Sequence, residues 1–331
     1  MRPGSYVVRR QDQGTKLGSW LCKRLNLRMN VVAELFARKA ITVDGKIPSS
    51  LNVPMSANQN VCVGIGKKTQ KQEPKINKNT SKQDLPWNPK VIFMDADILV
   101  VEKPSGITTV HHFSDQKRSS ERDRKYLPPT LQDILPDVVK TTTGKNVPYI
   151  RAVHRLDKDT SGLMLFAMSS KALSALGKKM RNGEIERRYL AITRGVPKEG
   201  IIESSFVQDR GDGRRGSGKA QDAEHAITRV KILDSMGDIA LVECELETGR
   251  THQVRIHLGE AGAPICGERI YDRPLHGRPL PDPTGIDRVA LHSCFLKFEH
   301  PISNKEMSWT SKLPKDMQII IDIAKKKNSG D

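Results

Sequence analysis

The stretch AVHRLDKDTSGLMLFA, residues 152–167, places a run of charged and polar residues directly before an apolar segment. The apolar segment predicts a buried strand from Gly162, and the residues before the loop predict another. The polar loop between these strands projects its side chains from a rigid sheet into a cleft, where catalytic groups commonly lie. Asp157 can serve as a nucleophile or as a base. Its neighbours Arg155 and His154 can keep its carboxylate ionised or fix its orientation.

Two other interpretations of the loop remain open from the residues alone. An isolated aspartate in a loop is more often a turn residue than a catalyst. Asp157 and Asp159 can also be read as the paired carboxylates of a glycosidase. Side chains two positions apart in one short loop rarely flank a sugar from opposite faces, which disfavours a glycosidase. Residue type and spacing therefore leave Asp157 as a candidate only.

Outward from this loop, apolar runs rich in β-branched residues outnumber helical segments. Strands are predicted at 98–103, 162–168, 187–193, 226–233, 240–247 and 290–298. Helices are predicted at 170–181, 252–261 and 315–327. The helices intervene without βαβ regularity. This order predicts an α+β fold, a mixed and mainly antiparallel sheet with flanking helices.

Residues 1–66 predict a small separate α/β module. Leucines recur every four residues from Leu17, which indicates one face of a helix, and Asn30 is placed to cap a second helix. The segment ITVDGKI at 41–47 carries Asp-Gly between β-branched residues, the signal of a two-residue hairpin turn. The segment VCVGI at 61–65 is predicted to be a returning strand.

Positive charge is concentrated at the start of the chain. The 331 residues contain 55 Lys or Arg and 38 Asp or Glu, a formal net charge of +17. Residues 1–90 contribute +12 of it, and residues 91–331, the predicted main domain, contribute +5. Residues 67–90 hold seven Lys, three Pro and almost no apolar residues, which predicts a lysine-rich linker. A polyanionic partner is expected, with nucleic acid the first candidate.

Several classes of protein are disfavoured by what the sequence lacks. No apolar run approaches the ~20 residues that a membrane-spanning helix needs, so no membrane is expected as a partner. The five cysteines are scattered without a C-x-x-C pair, which favours a reducing compartment over a disulfide framework. No nucleotide, flavin or metal motif is found, so neither a cofactor nor a metal site is expected. The basic, acid-poor first eleven residues favour mitochondria, with cytoplasm or nucleus as alternatives.

The stretch HRLDKDTSGLMLFA closely resembles the signature of the RluA-type RNA pseudouridine synthases, H-R-L-D-x-x-T-S-G-L followed by hydrophobic residues. Further segments resemble other motifs of that family in the same order: EKPSGI at 102–107, RRYLAITRG at 187–195, LETGRTHQVRIHL at 246–258 and ALHSCFLKFEHP at 290–301. Together they cover residues 91–313, and an ordered set of this kind is far more specific than one motif. The resemblance implies a pseudouridine synthase fold and a cofactor-independent isomerisation of uridine in RNA.

The resemblance also assigns catalytic roles. Asp157 aligns with the aspartate that attacks while the N1–C1′ glycosidic bond breaks and re-forms through C5. Tyr189 aligns with the tyrosine that stacks on the target base and is implicated in handling its C5 proton. Arg255 aligns with the arginine paired to that aspartate. A flipped base needs an aromatic platform, which suits Tyr189, although a tyrosine at a sheet surface is the plainer alternative.

Five other residues of the main domain are predicted to bind substrate or RNA: Arg155, His154, Lys103, Arg250 and His252. Arg250 precedes the helix predicted at 252–261, which suits a phosphate contact. The histidines are expected to orient loops by hydrogen bonds. Lys103 is expected to touch phosphate or stabilise the cleft, with a plain turn residue as the alternative.

The N-terminal module resembles the alpha-L RNA-binding module named after a small-subunit ribosomal protein. The shared features are two short helices followed by I-x-V-D-G-K ahead of a strand. Basic residues lie on or beside the predicted helices and can follow a phosphate backbone, among them Lys23, Arg24, Arg28 and Lys39. A solvated charged face is the alternative for an arbitrary basic helix pair.

The sequence thus predicts a monomeric RNA pseudouridine synthase whose substrate is ribosomal, transfer or messenger RNA. A second hypothesis is an inactive RNA-binding or ribosome-assembly factor on the same fold. A third is an aspartate-dependent nucleoside hydrolase, which would release free uracil. Which uridine is modified does not follow from the sequence.

Overall fold

A computed structural model describes residues 4–25, 32, 35–36, 40–48, 50–51, 53–63, 88–111 and 127–329. The chain divides into two compact units, residues 1–82 and 83–331. The finer division into a module at 1–66, a linker at 67–90 and a catalytic domain at 91–331 stays a prediction. Residues 67–87 lie outside the described part of the chain.

The first unit contains a small antiparallel sheet. The sheet consists of strands β1 (Gly4–Val7), β2 (Ile41–Val43) and β3 (Asn60–Val63), and helix α1 (Leu17–Leu25) lies between β1 and β2 in the sequence. The strands pair in the order β1-β3-β2. Asp44 and Gly45 both have positive φ, 49° and 77°, as the predicted two-residue hairpin turn requires. The predicted second helix capped by Asn30 falls largely outside the described residues.

The described strands of the second unit join in one 11-stranded sheet, ordered β10-β9-β11-β12-β8-β13-β7-β5-β4, with β14 on β13 and β6 on β7. The strands are β4 (Lys90–Met94), β5 (Ile98–Lys103), β6 (Arg151–Ala152), β7 (Ser161–Ala167), β8 (Glu186–Arg194), β9 (Gly200–Val207), β10 (Gly216–Ser217), β11 (Glu224–Met236), β12 (Ile239–Leu246), β13 (Leu291–Glu299) and β14 (Glu306–Thr310). Only β7 and β13 pair in parallel among the described strands. The predicted α+β class, with a mixed and mainly antiparallel sheet, is confirmed.

Four described helices accompany the sheet: α2 (Leu131–Thr143), α3 (Ser170–Arg181), α4 (Gln253–Glu260) and α5 (Lys315–Ser329). The last three confirm the predicted helices, whereas α2 was not predicted, because Pro136 lies inside it. Thr130 and Asp133 form a capping box that begins this helix. No helix among the described residues is long and apolar enough to cross a bilayer.

Strand β7 lies at the centre of the core and directly follows the polar loop of the opening stretch. All seven of its residues are buried, as its apolar run predicts. It is flanked by β5 and β13, whose Ser293 is the register partner of Gly162. Gly162 has φ of +115°, and a Cβ there would overlap the backbone carbonyl of Ser293. The parallel pairing that anchors the loop therefore requires glycine at this position.

Replacing Gly162 by alanine is expected to lower the free energy of unfolding by roughly 2–4 kcal/mol, through backbone strain and overlap with β13. Urea unfolding of the purified protein measures this. Gly144 is a matched control, because it also has positive φ, +72°, but faces open space. Its alanine variant is expected to lose roughly 1 kcal/mol. Equal losses at the two positions would contradict the packing explanation.

Candidate active site

The loop from residue 154 to 160 connects β6 to β7 and is held by hydrogen bonds from the segment after β5. Thr109 Oγ1 donates to the carbonyl of Leu156 at 2.8 Å. The amide of Gly106 donates to the carbonyl of Lys158 at 2.8 Å. These bonds fix the backbone on both sides of Asp157. A loop tied to the sheet in this way presents its carboxylate in a defined position.

Asp157 forms an ion pair with Arg255 of α4. Arg255 Nη1 donates to Asp157 Oδ2 at 3.1 Å. The same guanidinium donates to Glu268 from Nε at 2.6 Å and from Nη2 at 3.0 Å. Its centre also lies 5.4 Å from the centroid of the Tyr271 ring. Arg255 is therefore oriented by two carboxylates and an aromatic face, and the predicted Asp157–Arg255 pair is present.

Glu268 supports this pair from inside the protein. Its side chain is 0% exposed and accepts backbone hydrogen bonds from the amides of residues 269, 270 and 271. Burial alone would raise the pKa of Glu268, but the hydrogen bonds and charge of Arg255 dominate and lower it. Burial likewise opposes the charge of Arg255, while Glu268 raises the Arg255 pKa above its ordinary value. Both groups are charged as a consequence.

His252 faces the second oxygen of the Asp157 carboxylate. It precedes α4 in a left-handed conformation, with φ of 61°. Its Nδ1 lies 2.8 Å from Tyr271 Oη, and its Nε2 lies 3.7 Å from Asp157 Oδ1. Burial lowers the pKa of His252, although the charge of Asp157 opposes this. A neutral imidazole next to the carboxylate orients it without adding a second positive charge.

Tyr189 lies on β8 and faces the same cleft as Asp157. It is only 5% exposed, and burial raises its pKa. The cleft encloses about 560 Å³, part of it open to solvent. Its lining includes apolar side chains beside Tyr189 and polar or charged groups around Asp157: Leu156, Leu246, Leu291, Arg155, Arg187, Arg250, His252 and Arg255. An aromatic ring with apolar neighbours beside a carboxylate suits a planar base next to a reacting sugar.

The structure brings most of the predicted main-domain residues together in this cleft. Asp157, Tyr189 and Arg255 line it with Arg155, Arg250 and His252. Arg250 is exposed, and its Nη1 lies 3.6 Å from a carboxylate oxygen of Glu224. Two predicted binding residues, Lys103 and His154, are not part of the cleft lining.

Lys103 is fully buried, so the predicted phosphate contact is wrong for this residue. Its ammonium donates to the backbone carbonyls of Pro104 at 3.0 Å, Lys158 at 2.9 Å and Thr160 at 2.6 Å. Two of these carbonyls belong to the Asp157 loop. Lys103 therefore stabilises the cleft from behind, which was the second of its predicted roles.

His154 also supports the loop by a hydrogen bond to β7. The amide of Leu165 donates to its Nε2 at 3.2 Å, which leaves the ring proton on Nδ1. Burial and the nearby charge of Arg187 lower the pKa of His154 to about 3. The imidazole is therefore neutral and ties the loop to β7. The predicted loop-orienting hydrogen bond is present, and the RNA contact of His154 stays a prediction.

Removing the Lys103 ammonium is expected to change how stability depends on pH. Burial lowers its pKa from 10.5 to about 7, against the opposing charges of Asp159 and Asp157. Between these two pKa values the unfolded chain binds the proton more strongly, so the buried charge costs less stability as pH rises. Above 10.5 the cost vanishes, and below 7 it is constant.

The comparison is between wild type and Lys103→Met in urea unfolding at about pH 6.5 and about pH 9.5. Relative to the variant, wild type is expected to gain about 3 kcal/mol in free energy of unfolding between the lower and the higher pH. A difference that does not change with pH would contradict the assignment of this titration to Lys103.

Of the basic residues predicted in the N-terminal module, Lys23 and Arg24 are described. Both are exposed near the end of α1, and the Arg24 guanidinium lies 5.8 Å from the centroid of the Tyr6 ring. Arg28 and Lys39 lie outside the described residues. RNA binding by these four residues stays a prediction.

Sequence reasoning missed three residues that shape the site, namely Glu268, Tyr271 and Arg187. Glu268 and Tyr271 lie in an irregular segment after α4, where no periodicity marks a role. Arg187 stands two positions before Tyr189 on β8, so strand alternation places both on one face. That alternation was the one available signal. Across the described ranges, no group of three or more His, Cys, Asp or Glu residues is placed to hold a metal ion.

The fold agrees with comparisons to known proteins. The family model of RNA pseudouridylate synthases matches residues 97–260. The ribosomal large subunit pseudouridine synthase D of Zymomonas mobilis is 31% identical over 250 residues, covering 73% of this chain and 74% of the relative. The uncharacterized RNA pseudouridine synthase YlyB of Bacillus subtilis is 33% identical over 244 residues, with coverage of 73% and 74%.

One solved structure, human RNA pseudouridylate synthase domain containing 4, shares the fold with a TM-score of 0.56 at 24% identity. It covers 71% of this chain and 92% of that chain. The chain belongs to the RluA-type RNA pseudouridine synthases. It is accordingly an isomerase that acts on RNA.

Proposed function

We propose that the protein converts uridines of ribosomal RNA to pseudouridine, with Asp157 as the nucleophile. One observation carries the assignment of the nucleophile. Asp157 is the single carboxylate among the described residues that line the cleft, and it faces the same space as the Tyr189 ring. Glu268, the other carboxylate bound to Arg255, is fully buried and has no access to substrate. The Arg255 hydrogen bond also orients the carboxylate of Asp157, as positioned attack by a nucleophile requires.

The reaction needs no oxidant, reductant or external group. An Asp157 oxygen forms a bond to C1′, the N1–C1′ bond breaks, and its electron pair leaves with the uracil. The uracil then turns within the cleft, and C5 attacks C1′ while the aspartate bond breaks. Loss of the C5 proton and uptake of one proton at N1 complete the isomerisation. Asp157 is regenerated as a carboxylate next to Arg255.

Tyr189 is proposed to hold the flipped uracil during this turn. Stacking of a base on an aromatic ring contributes about 1–3 kcal/mol, which offsets part of the cost of unstacking the base in RNA. Its phenol keeps its proton at neutral pH, because burial raises the Tyr189 pKa. The hydroxyl is thus able to donate a hydrogen bond to a uracil oxygen, or to relay the C5 proton to solvent.

Ribosomal RNA is the proposed substrate because relatives named ribosomal large subunit pseudouridine synthase D match 71–73% of this chain. The N-terminal excess of positive charge supports capture of RNA by a region outside the catalytic unit. Mapping pseudouridines in ribosomal RNA from cells with and without the gene tests this substrate. Loss of a modified position on deletion supports the proposal. An unchanged ribosomal map with losses in transfer or messenger RNA would reassign the substrate.

Deleting residues 1–90 is expected to weaken RNA affinity and flatten its salt dependence while some activity remains at high substrate concentration. The deleted part carries +12 of the net charge of +17, and each lost phosphate contact reduces the salt slope by about 0.7–0.9. Filter binding across a salt series measures the slope. An unchanged slope would contradict the proposed role of this region in RNA capture. An unfolded product would show that the two parts are not separable.

A further inference from the structure

Four arginine side chains are buried among the described residues, and three of them have carboxylate partners. Arg255 pairs with Asp157 and Glu268, and Arg210 pairs with Asp212 and Glu260. Arg194 lies 3.9 Å from a carboxylate oxygen of Asp282 and also donates to two backbone carbonyls. The fourth, Arg187, is 6% exposed. It has no carboxylate within ion-pair distance in the described part of the chain.

The hydrogen bonding of Arg187 is correspondingly incomplete. The one hydrogen bond of its guanidinium to described residues is a long one, 3.4 Å from Nη2 to the carbonyl of Thr248. Its Nε is buried without a partner among those residues. The Nδ1 of the neutral His154 nearby is also buried without a partner among those residues. A buried guanidinium without an anion lowers stability, so its presence in the cleft lining indicates a negative charge that arrives with a ligand.

The position of Arg187 points to the ligand of the catalytic cleft. Arg187 and Tyr189 lie on the same face of β8, and both line the cleft. The guanidinium lies against Gly249, where a side-chain Cβ would come within 2.9 Å of Arg187 Nη1. Gly249 is itself exposed at the rim of the cleft. The charged end of Arg187 therefore lies between Tyr189 inside the cleft and the exposed rim at Gly249.

We propose that Arg187 binds the phosphodiester group next to the target uridine and so fixes the flipped nucleotide over Tyr189. This inference rests on the proposed function. A neutral uracil offers carbonyl oxygens, for which an uncharged hydrogen-bond donor is sufficient. A phosphodiester carries a full negative charge and so supplies the anionic partner that Arg187 does not have among the described residues of the protein. The planar guanidinium also suits two phosphate oxygens at once. The nearby cations Arg255 and Arg250 already face carboxylates of the protein.

The test combines a protein variant with a change in the substrate. The RNA is a synthetic hairpin that carries the mapped target uridine, with a neutral methylphosphonate at the phosphate on its 5′ or 3′ side. Arg187→Met is the variant, because methionine fills similar space without charge. Arg188→Met is the matched control, since Arg188 lies on the opposite face of β8 and pairs with Glu186. Pseudouridine formation and equilibrium binding are measured for each pair.

For wild type, methylphosphonate at one of the two positions is expected to lower kcat/KM by about 10- to 100-fold. Arg187→Met is expected to show a loss of similar size on unmodified RNA and no further loss on the methylphosphonate RNA. Its thermal midpoint is expected to equal or exceed that of wild type, because an unpaired buried charge has been removed. Arg188→Met is expected to behave as wild type in both assays.

Three results would overturn the assignment of Arg187. The first is activity of Arg187→Met within twofold of wild type on unmodified RNA. The second is a methylphosphonate penalty that persists undiminished in Arg187→Met, which would place the phosphate elsewhere. The third is a large fall in thermal midpoint, which would make Arg187 structural. If wild type makes no pseudouridine on unmodified RNA, the proposed function fails, and the binding measurements still decide the phosphate contact.

Discussion

Replacing Asp157 by asparagine is expected to lower the rate of pseudouridine formation by more than about 1,000-fold, because the carboxamide is a far weaker nucleophile than the carboxylate. The change keeps the size and shape of the side chain. The carboxamide oxygen still accepts the hydrogen bond that Arg255 Nη1 donates at 3.1 Å. Arg255 also keeps both bonds to Glu268. The fold is therefore expected to survive while the chemistry is lost.

Asp159→Asn is the matched control for this experiment. Asp159 lies in the same loop, carries the same charge and is exposed outside the cleft lining. Its variant is expected to retain activity within a few-fold of wild type. Single-turnover rates at saturating enzyme separate the chemical step from RNA binding. Equal losses in the two variants would show that loop charge, and not a nucleophile at position 157, controls the rate.

Replacing Glu268 by glutamine is expected to lower the free energy of unfolding by about 3–5 kcal/mol, the usual cost of breaking a buried ion pair. Arg255 would keep only Asp157 as a charged partner inside the protein. The amide group of glutamine would also meet the guanidinium or the three backbone amides that Glu268 now binds. Activity is expected to fall as well, because Arg255 no longer has a fixed orientation toward Asp157.

Glu299→Gln provides the comparison for a surface pair. Glu299 accepts a hydrogen bond from Lys179 at 2.9 Å, and its side chain is 47% exposed. An exposed pair contributes at most about 1 kcal/mol, so its loss is expected to be small. Urea unfolding of both variants measures the contrast. A Glu268→Gln variant as stable as Glu299→Gln would contradict the role of Glu268 as the buried anchor of the site.

The sequence predicted the polar loop that carries Asp157 and the buried strand after it, because a long apolar run is typical of a strand in the core. The resemblance to RluA-type synthases then assigned Asp157, Tyr189 and Arg255, and these three residues do meet in one cleft. Helix α2 escaped prediction because Pro136 disfavours a helix, although its capping box is visible in sequence. In the folded protein, packing of α2 in the core outweighs the local free-energy cost of a proline inside the helix.

The supporting residues of the site were harder to predict because their roles depend on contacts between distant segments. Lys103 carries a charge that normally seeks solvent, yet it reaches Lys158 and Thr160, more than 50 positions away. Glu268 lies in a segment without periodicity, and only the folded chain brings it to Arg255. Monomeric state, mitochondrial localisation and the boundaries of the N-terminal module stay predictions.

The chemical fate of the target uracil tests the central claim most directly. RNA labelled in its uracil rings is incubated with wild type and with Asp157→Asn, then digested to nucleosides and separated together with any free base. Wild type is expected to convert uridine to pseudouridine with the uracil retained in the chain, and Asp157→Asn to leave uridine unchanged. Free uracil from wild type, or equal pseudouridine from both proteins, would contradict isomerisation through Asp157.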